Sequence, residues 1–349
     1  MDNNDWDSIL HQFVSEVAHD GHDQDKLSPS SSLSHPSPTA LYTPQILSQV
    51  PTPPESHHGS PDDEQNHSTV VSVSTTFHPG ATLDSTPTDL SILSSDSVFF
   101  YVHTRRLLDG SINGFNNFLP SSNKPEDHTG PILALPEHSS VLNVVLHTIY
   151  HMSAMEYSPP LAAIVSAVDA LQVYGYQPSM YLAPSTPLFS LVMSHSPNSP
   201  LECYALAASL DLQDLATSIS PFLLSFPLAS LSDEVAARIG PTYLKRLFFL
   251  HLGRAEALKR LLLPPPETHP PTMTCDWLEQ KKLTRAWALA TAYLAWEVKP
   301  DLSTASIETA LRPLGEHLSC DQCKQLLRER INNLVVQWSV VKSIADNIV

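Results

Sequence analysis

The sequence predicts an α+β protein: a small sheet flanked by helices, then an all-helical C-terminal part, with a disordered tail in front. Three observations carry this. Two short apolar runs, Leu90–Leu93 and Val98–Val102, flank the polar turn Ser94-Ser95-Asp96-Ser97, and the second run holds Phe99, Phe100 and Tyr101. Aromatic and branched residues on both sides of such a turn form a β-hairpin. After His103 the apolar spacing changes: Leu107, Leu108, Ile112 and Phe115 suit short helices. Ahead of Thr88 the chain is rich in Ser, Pro, Thr and His and poor in large apolar residues, so it cannot bury enough surface to offset backbone entropy.

The predicted organisation of the 349 residues is therefore an acidic tail over 1–86, a domain built on the hairpin over 87–196, and a helical domain over 197–349. Within the tail, Trp6, Ile9, Leu10, Phe13, Val14 and Val17 follow helical spacing, so residues 5–17 read as an amphipathic partner helix. They sit beside Asp2, Asp5, Asp7 and Glu16, and the early acids favour a helix N-terminus. The segment is too short to hold a helix alone in water. It is expected to fold in a partner's groove, or else on the chain's own helical domain. Residues 70–73 (VVSV) are a second, weaker island of strand character. Six Ser/Thr-Pro pairs, at Ser28, Ser37, Thr43, Thr52, Ser60 and Thr86, are either proline-directed phosphorylation sites or a by-product of composition.

In the hairpin domain, residues 131–136 read as a third strand, 137–150 as a helix with Ser139 or Ser140 near its start, and 161–174 as a buried Ala-rich helix. Farther on, 201–218 reads as a helix pair turning at Asp211 and Leu212. Helices follow over 241–263, 272–298, 304–318 and 321–349, the first ending at Pro264-Pro265-Pro266. No repeat of fixed period is present, which argues against a solenoid or propeller.

Charge and composition narrow the function. The formal net charge is −17 and the pI about 5.3. Residues 1–88 hold 12 acids and one base, Lys26, and the remainder is also net acidic. Neither part can track a phosphate backbone, so nucleic acid is not an expected partner. The runs Lys281-Lys282-Arg285 and Lys324-Arg328-Arg330 are broken by Glu279 and Glu329 and read as solvated helix faces. No apolar run reaches membrane-spanning length, and no secretory signal opens the chain. A cytoplasmic or nuclear protein with reduced thiols is the expectation.

The sequence offers little chemistry. No glycine-rich phosphate loop is present. His103 could act as a base, but no nucleophile or orienting acid can be assigned to it. Cys320-x-x-Cys323 is the one pair at metal-ligand spacing. A tetrahedral site needs two further ligands. Cys275, His317, His269 and His251 are the candidates, and none makes a second pair at knuckle spacing. The two cysteines are therefore expected to be small buried side chains on one helix face. No bound zinc, no cofactor and no catalytic residue are expected.

The order of these segments resembles a BTB/POZ domain. The residues that carry the resemblance are Asp89 at the first strand, Tyr101-Val102-His103 ending the second, and Leu107-Leu108 in the following helix. Phe115 within Asn113-Gly114-Phe115-Asn116, residues 132–136, and Tyr174-Gly175-Tyr176 add to it. Taken over 89–349, with the late Cys-x-x-Cys, the chain is similar to BTB-containing proteins common in mushroom-forming (basidiomycete) fungi. The resemblance implies a non-enzymatic interaction module acting as dimerisation unit, adaptor or scaffold. On that reading Asp89, Val102, His103, Leu107, Leu108 and Phe115 are the interaction motif, and the partners are proteins, including a homo- or heterodimer. Two alternatives stand beside it: a substrate adaptor of a cullin-type ubiquitin ligase, and a transcriptional regulator recruiting partners through the acidic tail. The sequence departs from the family in three places. Thr104 stands where well-known dimers have a basic residue after the His, 139–150 holds no acid of the kind cullin adaptors carry, and Ser111-to-Phe115 is one residue longer than usual.

Overall fold

A polar turn and its two flanking strands set the architecture. In the computed structural model, which describes residues 72–119, 131–296 and 298–345, β2 (Leu90–Leu93) and β3 (Val98–Val102) pair antiparallel, Leu90 opposite Val102 and Leu93 opposite Phe99. Ser94 closes the turn: its hydroxyl accepts from the Val98 N–H at 2.9 Å, and Ser97 takes the left-handed conformation at φ 64°. β1 (Ser72–Val73) lies parallel to β3, and β4 (Ile132–Ala134) lies parallel to β2, giving a four-stranded sheet of order β1-β3-β2-β4. The sheet and its neighbours belong to one compact unit.

Helices cover the sheet. Helix α1 (Thr104–Leu108) leaves β3 directly. Helix α2 (Ser139–Ile149) is anchored to the hairpin turn, because Asp96 accepts from the Ser139 N–H at 2.7 Å and from its hydroxyl at 2.6 Å. A carboxylate at a helix N-terminus satisfies orphan N–H groups and meets the dipole. Helix α3 (Leu161–Val173) packs along α2, and its alanines allow close approach. Then follow α4 (Pro178–Tyr181), α5 (Pro187–His195), α6 (Pro200–Ser209) and α7 (Gln213–Ile219). Asp211 breaks the α6–α7 pair at φ 53°, where the sequence placed the turn.

Helix α8 (Asp233–Leu262) is kinked at Gly240-Pro241, where Gly240 has φ 76° and ψ 164°. Proline has no N–H to donate, and its ring opposes the preceding turn. The helix thus begins eight residues before the expected start, capped by the Ser232 side chain. Helices α9 (Trp277–Trp296), α10 (Thr304–Leu311) and α11 (Asp321–Ser339) complete the chain. Polar hooks tie them together. The Trp287 indole N–H donates to the Leu262 carbonyl at 3.0 Å, and that of Trp338 to the Leu302 carbonyl at 2.7 Å. Arg330 donates to the carbonyls of Leu261 and Pro264.

Two expectations change. The structured part begins before residue 87: β1 pairs at the sheet edge and Phe77 is fully buried against Phe100, His147 and Tyr150. The strand falls within the island of strand character at 70–73, and the sheet gives Phe77 partners that average composition cannot register. The boundary expected at 196/197 falls inside a continuous core that runs from Phe77 to Leu247. The Tyr204 hydroxyl of α6 donates to the Tyr243 carbonyl of α8, and the Tyr243 hydroxyl donates to Asp211. Helix α6, the first half of the predicted helix pair, therefore packs as part of that shared core. Among the described residues no helix is long and apolar enough to cross a membrane.

Candidate functional site

Five of the six residues of the predicted interaction motif lie where β3 meets α1, and Phe115 packs beyond it. His103 is 2% exposed. Its Nε2 lies 2.9 Å from the Thr86 carbonyl, which can only accept, so Nε2 carries the proton. Nδ1 then accepts from the Tyr150 hydroxyl at 2.8 Å, and the same oxygen accepts the His103 backbone N–H at 2.9 Å. Both ring nitrogens are engaged in holding the strand end to α2. Burial pushes the Tyr150 phenol up to about 12. Asp89 is exposed, and its carboxylate accepts from the Thr104 N–H at 2.7 Å, capping α1. The nearby base, Arg106, turns instead to Asp84 at 2.7 Å. Its hydrogen bond holds that carboxyl near 2. Val102 and Leu107 are fully buried and Leu108 is exposed.

Phe115 sits on the loop after α1. Its ring stacks on Tyr174 at 4.2 Å and meets Tyr176 edge-on at 6.4 Å. The loop is fastened to the end of α3: Ile112 N–H donates to the Gly175 carbonyl at 2.9 Å, Ser111 hydroxyl to the Tyr174 carbonyl at 2.6 Å, and Asn113 Nδ2 to the Val173 carbonyl at 2.9 Å. Outward from this frame point Leu108, Ile112, Phe118 and Val173, with Ile112 78% and Val173 54% exposed. Of the six motif residues, Val102, His103, Leu107 and Phe115 lie inside the fold, and Asp89 and Leu108 reach the surface. Nothing in the sequence marks Ile112, Phe118 and Val173 as surface residues. Their apolar type gives no such sign, since exposure depends on how the loop docks on α3. Trp6, Ile9, Leu10, Phe13, Val14 and Val17 lie outside the described residues.

A second constellation lies in the helical part. His269 and Cys275 come from the Pro-rich segment between α8 and α9, and Cys320 and Cys323 from the start of α11. Their ligand atoms all lie within 4.8 Å of one another. His269 Nε2 is 3.2 Å from Cys323 Sγ and 3.3 Å from Cys320 Sγ, and Cys275 Sγ is 3.7 Å from Cys323 Sγ. Cys275 is presented by a tight turn in which Thr272 and Cys275 exchange backbone hydrogen bonds. His269 Nδ1 donates to the Pro270 carbonyl at 2.8 Å. That bond leaves Nε2 as the free lone pair. The Gln280 amide donates to the His269 carbonyl at 3.0 Å. The Cys323 N–H, at the first turn of α11, draws the Cys320 thiol down to about 7, while burial pushes Cys323 up to about 12.

This assembly departs from the expectation of an isolated cysteine pair. Cys323 is buried on α11 as expected, but Cys320 stands at the position before its first turn and both face two further donors. The spacing from His269 to Cys275 matches no knuckle, so only tertiary placement unites the four. His251 and His317, also considered as ligands, are not among them. Comparison of the chain with protein-family models, with curated proteins and with solved structures finds no match.

Proposed function

We propose that this chain is a non-enzymatic protein–protein interaction protein whose BTB/POZ-like α+β part works as a dimerisation or adaptor surface. The observation that carries this reading is the apolar rim of Leu108, Ile112, Phe118 and Val173 on a hydrogen-bonded frame. Exposed apolar side chains gathered on a preorganised surface mark sites that a partner desolvates. His103, the side chain that could serve as a base, spends both ring nitrogens inside the fold.

Light scattering of the full chain at tens of micromolar, on the scale of weak interfaces, is paired with cross-linking and mass spectrometry from cell extract. The wild type is expected to self-associate or to cross-link a specific protein, and the Ile112→Asp, Val173→Asp double variant is expected to lose it. A monomeric wild type whose cross-linked set matches that of the double variant overturns the proposal. Recovery of a cullin through the same rim assigns the adaptor role.

A further inference from the structure

We propose that His269, Cys275, Cys320 and Cys323 form a structural zinc site that staples the segment between α8 and α9 to the start of α11. Zinc binds thiolate sulfur at about 2.3 Å and imidazole nitrogen at about 2.0–2.1 Å, and a tetrahedron of those bonds has S···S edges of about 3.8 Å and S···N edges of about 3.5 Å. The Cys275–Cys323 separation of 3.7 Å matches the first, and 3.2 and 3.3 Å for the two His269 contacts lie within a few tenths of the second. With every pair inside 4.8 Å, side-chain shifts on the order of 1 Å complete the coordination sphere.

Hydrogen bonding alone satisfies this cluster poorly. Two thiols, Cys320 and Cys323, converge on one imidazole lone pair. The third, on Cys275, has a sulfur for its neighbour, and S–H is a weak donor. A soft cation satisfies all four ligands at once, and three thiolates with one imidazole select zinc over harder ions. The outer contacts fit as well. A ligating imidazole usually donates its other N–H to a carbonyl or carboxylate, as His269 does to Pro270. All four positions are filled by protein, which marks a structural rather than a catalytic site.

The segment gives the metal something to hold. Residues 264–276 carry five prolines and no helix, yet His269 is buried beside Gln280 of α9. Binding there closes the long loop from Cys275 to Cys320, where cross-links gain most.

The test is zinc content of the full chain, expressed with zinc and purified without chelator. The expected result is about one zinc per chain, falling below about a tenth in Cys320→Ser, Cys323→Ser and remaining near one in Cys203→Ser, whose buried thiol lies outside the cluster. Because the double variant could unfold, wild-type protein is also exchanged with cobalt. An intense visible d–d band with sulfur-to-cobalt charge transfer identifies tetrahedral thiolate ligation without any mutation. Metal-free wild type with no cobalt spectrum, a Cys275–Cys323 disulfide in a non-reducing peptide map, or zinc that survives the double substitution each overturns the proposal.

Discussion

Gly175→Ala tests how the loop after α1 is locked to α3. Gly175 has φ +83°, and a Cβ added there would lie 2.3 Å from Asn113 Oδ1, 2.6 Å from its Cγ and 2.9 Å from its backbone nitrogen. The left-handed conformation costs an L-residue about 1–2 kcal/mol. Relieving the overlap moves Asn113 away, which sacrifices its bond to the Val173 carbonyl and the Asn116 N–H bond to its Oδ1. Two such bonds contribute about 2 kcal/mol net, so the total loss is about 3–4 kcal/mol. Gly114 is the control: it has φ +63°, but its added Cβ meets nothing closer than Asn117 Oδ1 at 3.8 Å. Gly114→Ala should therefore cost only the conformational part, about 1–2 kcal/mol. Urea unfolding of the full chain reads both. Equal losses for the two variants would refute the steric argument. So would an undiminished Gly175→Ala penalty in an Asn113→Ala background, where the overlapping amide is gone.

Three further outcomes follow from the same contacts. Tyr150→Phe strands the His103 N–H and Nδ1 in a site 2% exposed and should cost about 2–4 kcal/mol in urea unfolding. Asp89→Ala removes the carboxylate from the Thr104 N–H, for a loss of about 1 kcal/mol, seen as a lower unfolding midpoint with an unchanged urea slope. Burial pushes the Asp96 carboxyl up, but its bonds from Ser139 and Ser94 outweigh that and bring it from 3.8 down to about 2. Its stabilisation is thus fully present above the unfolded value and lost as pH falls toward 2. The stability gap between wild type and Asp96→Asn should be constant above about pH 5 and close between pH 4 and 2.

Local elements were legible where chemistry is local. The hairpin strands match the two apolar runs, because each run is bounded by polar residues and its partner lies only a turn away. The helices at 139–149 and 161–173 follow their apolar spacing closely. Helix α5 is not legible, because the segment before α6 holds four prolines that obscure its period. Strand order was not legible either. β4 aligns with β2 and β1 with β3 through pairings that no spacing encodes. The Cys/His cluster illustrates the same limit. Its ligands come from a segment without regular structure and from a helix start, so the sequence shows one pair and the fold supplies the other.

The shared core sets a timetable for synthesis. Phe77 and Leu247 belong to one buried cluster, with Tyr204 donating to the Tyr243 carbonyl between them. As the chain leaves the ribosome, the sheet and α2 emerge long before the residues of α8 that complete their packing. The side of α6 that packs on α8 then waits uncovered until Tyr243 and Leu247 appear. Nascent chains in that interval are the ones most exposed to aggregation, and a stop placed after residue 219, the end of α7, would make the interval permanent.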